Sequence, residues 1–149
     1  MNLKQNEGVL SKPLYGLQVA SFEAGSTYDD VDHDLGYIDR LGYDCLQVQL
    51  HSLTSITAAK KLNWTVTIKD CATSGGSYTD YVTAVAADTE AVAGATTAAE
   101  NCDYVNVDLT GAERYVKAVV NLDLTHTSTD TCQAYLGYLL TGANSIPVS

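Results

Sequence analysis

Positive charge is scarce in this chain: eight Lys and Arg stand against eighteen Asp and Glu in 149 residues, a formal net charge of −10. Nucleic-acid binding depends on neutralising phosphates with Lys and Arg, so a surface this acidic disfavours that class of partner. The bland reading of the acidity is solubility. Long apolar runs are also missing, and none approaches the ~20 residues of a membrane span. No positively charged start leads into the apolar core of a secretion signal. The expectation is a soluble protein made in the cytosol, without a membrane partner.

Chemistry-bearing patterns are equally sparse. The cysteines Cys45, Cys71, Cys102 and Cys132 form no C-x-x-C pair and match no zinc spacing. Free thiols are the expectation, with Cys45 and Cys132 inside strands as small hydrophobes and Cys71 and Cys102 at strand ends or in loops. His33, His51 and His126 are scattered and make no H-E-x-x-H spacing. Ser74-Gly75-Gly76-Ser77 lacks the order of a nucleophile elbow and the Lys of a phosphate-binding loop, and reads as a turn. No two carboxylates single themselves out as a glycosidase pair. The sequence therefore offers no catalytic residues, no metal site and no cofactor.

What is present is alternation. Val116, Ala118, Val120, Leu122 and Leu124 fall on one face of a run whose other face carries Tyr115, Lys117, Asn121 and Asp123, with Val119 the one apolar exception. This period of two is that of a strand with one face buried. The same pattern recurs at Leu46-Val48-Leu50, at Trp64-Val66-Ile68, at Val105-Val107-Leu109, and at Cys132-Ala134-Leu136-Tyr138-Leu140. Residues 14–22 form a weaker first strand, residues 78–87 are extended, and 88–99, rich in Ala, Thr and Gly, read as a loop with at most one strand. Five or more strands without a helix-period segment predict an all-β fold, a β-sandwich of jelly-roll type. Residues 1–13 form an extended N-terminal arm, and 14–149 a single sandwich domain.

Two features invite a functional reading. Asp30, Asp32 and Asp34 alternate, with Asp29 adjacent and Gly36 following. Calcium wants several hard oxygens, but the spacing departs from an EF-hand loop, whose last ligand position here is Leu41. The readings are a solvated acidic loop, a weak cation loop, or an acidic contact to a neighbouring subunit. On a strand such carboxylates share a face and repel unless a cation or a basic partner intervenes. The second feature is Tyr, ten residues against one Phe and one Trp. Tyr buries a ring and keeps a wet hydroxyl, which suits both sandwich packing and interfaces. Tyr115 and Tyr135, on the polar faces of their strands, are the interface candidates.

The order of segments resembles a group of small β-rich virion structural proteins of tailed bacteriophages. The resemblance runs over residues 37–149. It lies in Ile38-Asp39-Arg40-Leu41-Gly42-Tyr43-Asp44 leading into a strand, in Trp64 to Asp70 followed by a Gly-Ser turn and Tyr78-Thr79-Asp80, and in Val105 to Gly111 leading into Arg114-Tyr115-Val116-Lys117. It departs from the commonest pattern at Lys117, where relatives often carry Arg, so a point cation replaces a planar fork. The resemblance implies a capsid decoration, or cement, protein on the outside of the head. Its partners would be the major capsid protein and copies of itself, as a homotrimer or a dimer. Arg114, Tyr115, Lys117 and Tyr135 are the expected subunit contacts, with Arg114 alternatively engaged in a salt bridge or anchoring the loop from Asp108 to Glu113. The competing readings are a single jelly-roll major capsid or tail protein, and a carbohydrate-binding surface module.

Overall fold

Alternating side chains and Gly-rich turns resolve into eight strands in a computed structural model that describes residues 12–56, 60–90, 98–125 and 130–143. In chain order they are β1 (Lys12–Glu23), β2 (Val31–Asp39), β3 (Tyr43–Ser55), β4 (Lys61–Cys71), β5 (Thr79–Glu90), β6 (Ala98–Asp108), β7 (Tyr115–Leu124) and β8 (Thr131–Ala143). All pairings are antiparallel, in two four-stranded sheets ordered β1-β8-β3-β6 and β2-β7-β4-β5. Eight strands divided between two sheets in this order make a jelly roll. The described residues contain no helix.

The alternation read in the sequence sets the core. Leu46, Val48 and Leu50 of β3, Trp64, Val66 and Ile68 of β4, Val116, Ala118, Val120 and Leu122 of β7, and Leu136 and Leu140 of β8 are buried between the sheets. Trp64 is fully enclosed. Removing this much apolar surface from water is the main force holding the sheets together. Cys132 joins the same interior, and burial pushes its thiol up to about 12, which keeps it inert at neutral pH. The four cysteines are free.

Tyr138 ties the two sheets in a second way. β2 carries a bulge between Asp34 and Tyr37, which interrupts its ladder with β7. The β2-facing N–H and C=O of Ala118 would lose their partners there. The buried Tyr138 hydroxyl reaches across from β8, accepts from Ala118 N–H (2.6 Å) and lies 3.1 Å from Ala118 O and 3.2 Å from Gly36 O. Its single proton serves one of those carbonyls at a time. Burial raises the Tyr138 pKa far above its ordinary value, so the hydroxyl stays protonated.

Four sequence expectations shift. The first strand starts at Lys12, so the last two residues assigned to the arm belong to β1, while 1–11 lie outside the described residues. Residues 31–34, read as acidic loop, open β2. The stretch 88–99, read mainly as loop, supplies the last residues of β5 and the first of β6, and 91–97 lie outside the described residues. Cys102 sits inside β6 rather than at a strand end, paired in register with His51 on the outer face, and both residues are exposed.

Candidate functional site

With the interior filled by side chains, what the molecule offers to others is the outer face of each sheet. On the β2-β7-β4-β5 sheet, Lys117 and Lys69 stand directly opposite each other on β7 and β4. Like charges so placed destabilise a sheet. Each is answered from the flanking strand: Asp34 of β2 lies 2.5 Å from Lys117 Nζ, and Asp80 of β5 lies 2.8 Å from Lys69 Nζ. The result is an acid-base-base-acid row across all four strands. Burial pushes the Asp34 carboxyl up, but hydrogen bonds from Lys117 and from Gly36 N–H, with the charges of Lys117 and Lys69, outweigh it and leave the pKa lowered. The Asp80 carboxylate in turn raises the Lys69 pKa. Exposed pairs of this kind add little to stability, so their main effect is to fix geometry.

Tyrosines frame this row. Tyr37 and Tyr115 meet edge to face at 6.0 Å between ring centroids. Lys117 Nζ lies 5.2 Å from the centre of the Tyr78 ring, and the Arg114 guanidinium 5.3 Å from that of Tyr115. Arg114 also forks onto Asp39, with Nη2 to Oδ2 at 2.7 Å and Nε at 3.1 Å from both carboxylate oxygens. Asp39 holds Arg114 more firmly protonated than usual. Val119, the apolar exception on this face, lies between Asp34 and Thr67 in register and is 8% exposed.

Arg114 does not anchor the 109–114 loop through its side chain. Arg40 does: its Nε donates to Glu113 O (2.9 Å), Nη1 to Tyr43 O (3.1 Å) and Nη2 to Ala112 O. Asp70 accepts from Glu113 N–H (2.9 Å) and Tyr81 donates to Thr110 O (2.8 Å).

The structure thus gathers three of the four expected contact residues, Arg114, Tyr115 and Lys117, at one end of one face. It places Tyr135 on the outer face of the other sheet, beside His51 at 6.2 Å between rings. Tyr37, Tyr78 and the Lys69–Asp80 pair complete the first patch and were not singled out from sequence. Lys69 alone gave a signal, as the outward residue closing the alternation of β4.

The acidic run is dispersed among the protein's own donors. Asp29 accepts from Gly25 N–H (2.5 Å) and Leu124 N–H (2.8 Å), closing the turn before β2. Asp30 takes a left-handed backbone (φ 54°). Asp32 is 3.4 Å from Asn121 Nδ2, and Asp34 engages Lys117, the basic partner that an outward carboxylate on a strand requires. Among the described residues no three of His, Cys, Asp and Glu stand together as a metal-binding group.

The fold and its faces define a jelly-roll sandwich with an aromatic, ion-paired outer surface. No protein-family model matches the sequence, and no curated protein does. Among solved structures, it is similar to that of the T13 infectious bursal disease virus particle, with a TM-score of 0.48 and 19% identity over 91% of this chain and 32% of that one. It is also similar to that of the VP2 subviral particle of the same virus, with a TM-score of 0.44 and 16% identity over 89% of this chain and 34% of that one. The chain spans about a third of the length of those chains.

Proposed function

We propose that this chain is a viral capsid structural protein, and that it acts as a decoration subunit on the outer surface of a bacteriophage head, clamping neighbouring capsomers. The observation that carries this reading is the patch on the β2-β7-β4-β5 sheet. Tyr and Arg are the residue types enriched at protein–protein contacts. Here Tyr37, Tyr115 and Arg114 are held in place by ring contacts and a forked ion pair, so little side-chain freedom remains to be lost on docking. The resemblance of residues 37–149 to tailed-phage virion proteins points the same way, and jelly rolls serve as capsid domains. In this reading the patch faces a shell subunit or another copy of the chain in a homotrimer. The protein is made in the bacterial cytoplasm, ends on the virion, and performs no catalysis.

Packaged DNA pushes shell subunits apart, and a clamp repeated over many sites opposes this by mass action and multivalency. The test is the copy number of the protein relative to the main shell protein in purified particles, followed by mild denaturant. Release of this protein from an intact shell is the expected result. Loss of the whole shell would support a major-capsid role instead, and absence from particles would end the capsid reading. Tyr115→Ala combined with Lys117→Glu should lower occupancy on particles at least tenfold without loss of folding.

A further inference from the structure

The opposite sheet has a different chemistry. Residues paired in register share a face, and on the outer side of β8-β3-β6 three consecutive rows read Leu139-Gln47-Asn106, Gly137-Gln49-Tyr104 and Tyr135-His51-Cys102. None carries a carboxylate, a Lys or an Arg, in a protein of net charge −10. Charge returns only at the margins, with Asp108 beyond one end and Glu100 beyond the other. In the middle row Gly137 also pairs with Gly16 of β1, so two adjacent strands present no side chain there. A shallow trough of about 180 Å³ lies at Gly137, lined also by Gln49, Leu50, His51, Cys102, Tyr135 and Leu136. Tyr135 lines it and is 44% exposed, and Tyr104, 59% exposed, stands beyond Gln49 in the middle row.

We propose that this face binds a neutral carbohydrate chain, with one sugar ring seated in the trough at Gly137 against Tyr135 and the chain running on across Gln49 toward Tyr104. Neutrality is the first argument: a ligand without charge loses nothing by meeting an uncharged surface, whereas an anionic one meets the field of the whole acidic molecule. The second is the amide chain. Gln49 Nε2 donates to Gln47 Oε1 (2.6 Å), and Gln47 Nε2 donates to Asn106 Oδ1 (3.0 Å). These bonds orient the amides and leave Gln49 Oε1 as an acceptor and Asn106 Nδ2 as a donor, without a hydrogen bond among the described residues. A sugar hydroxyl both donates and accepts, so a run of hydroxyls complements both ends. The third is the aromatic placement. The apolar C–H face of a pyranose packs on an exposed tyrosine ring, and the ring keeps its hydroxyl wet. A protein partner fits less well, because Tyr104 on β6 and Tyr135 on β8 are separated by the polar side chains of β3 and build no continuous apolar centre. The trough is also smaller than the ~300–1,000 Å³ of sites that engulf a ligand, so the chain would lie along the sheet with one ring seated.

This inference does not rest on the capsid reading, since it uses the other sheet and a different readout. The full chain is applied to an array of neutral oligosaccharides built from hexoses and N-acetylhexosamines, with sialylated and sulfated counterparts alongside. Binding to neutral members, unchanged by raising NaCl from 0.1 to about 0.5 M, which would screen an ionic contact, is the expected result. Tyr135→Ala should weaken it at least tenfold. Gly137→Val fills the trough at a position without a left-handed backbone, and should weaken binding to a similar degree while leaving the thermal midpoint near that of the wild type. Absence of binding to every neutral glycan overturns the proposal, as does binding that both variants leave unchanged. A Tyr135→Ala variant that turns an oligomer into monomers, seen by sedimentation, would show the face to be a contact between copies and would also overturn it.

Discussion

At the residue scale, single polar groups in the interior decide more than their number implies. Tyr138 serves the backbone of Ala118 where the β2 bulge leaves the ladder open. Tyr138→Phe keeps the ring and removes a partner of a buried N–H, so it should cost about 1–3 kcal/mol, read as a lower urea midpoint with an unchanged slope. His33 is the second such group. It pairs with the inward Val120, and its Nε2 is buried without a hydrogen-bond partner among the described residues. Burial lowers its pKa from 6.5, against the backbone of Tyr28 and the charge of Asp32, which raise it. The unfolded chain therefore binds the proton more readily than the fold does. The stability that neutral His33 contributes is complete above about pH 6.5 and is lost as pH falls below that value toward the folded pKa. The difference in urea midpoint between pH 8 and pH 5 should shrink in His33→Gln, whose side chain does not titrate.

At the element scale, the strands differ in how openly the sequence declares them. β7 is legible because it is central in its sheet and alternates from Tyr115 to Leu124 with Val119 its one exception. β2 is not: its inward residues are His33, Leu35 and Ile38, and the bulge at Gly36 shifts the phase between the second and third. A period-two reading fails at such a bulge. The candidate patch divides in the same way. Tyr115 and Lys117 share a face by simple alternation, whereas Asp39 and Asp34, which engage Arg114 and Lys117, lie 75 and 83 positions away and become neighbours only through the pairing of β2 with β7. The 109–114 loop leading into β7 depends on the Arg40 fork. Arg40→Lys keeps the charge and loses the planar set of donors, so it should cost about 1.5–3 kcal/mol. Limited proteolysis should then cut the variant within 109–114 faster than the wild type.

At the scale of the whole molecule, two sheets back to back present two unlike surfaces on opposite sides: one ion-paired and tyrosine-framed, the other amide-lined and uncharged in its three central rows. A decoration subunit docked through the first would turn the second outward. The jelly-roll order also has a consequence in time. β1 sits at the edge of its sheet and pairs with β8 alone. As the chain emerges from the ribosome, β1 waits, with the backbone donors and acceptors that will meet β8 unpaired, until β2 to β7 have all been made. Contacts this distant along the chain form slowly. A chain ending at Thr125, without β8, should show no cooperative unfolding by circular dichroism. With β8 present, the interval between synthesis of β1 and synthesis of β8 is the period of greatest exposure to wrong partners. Folding closes from the last strand back onto the first.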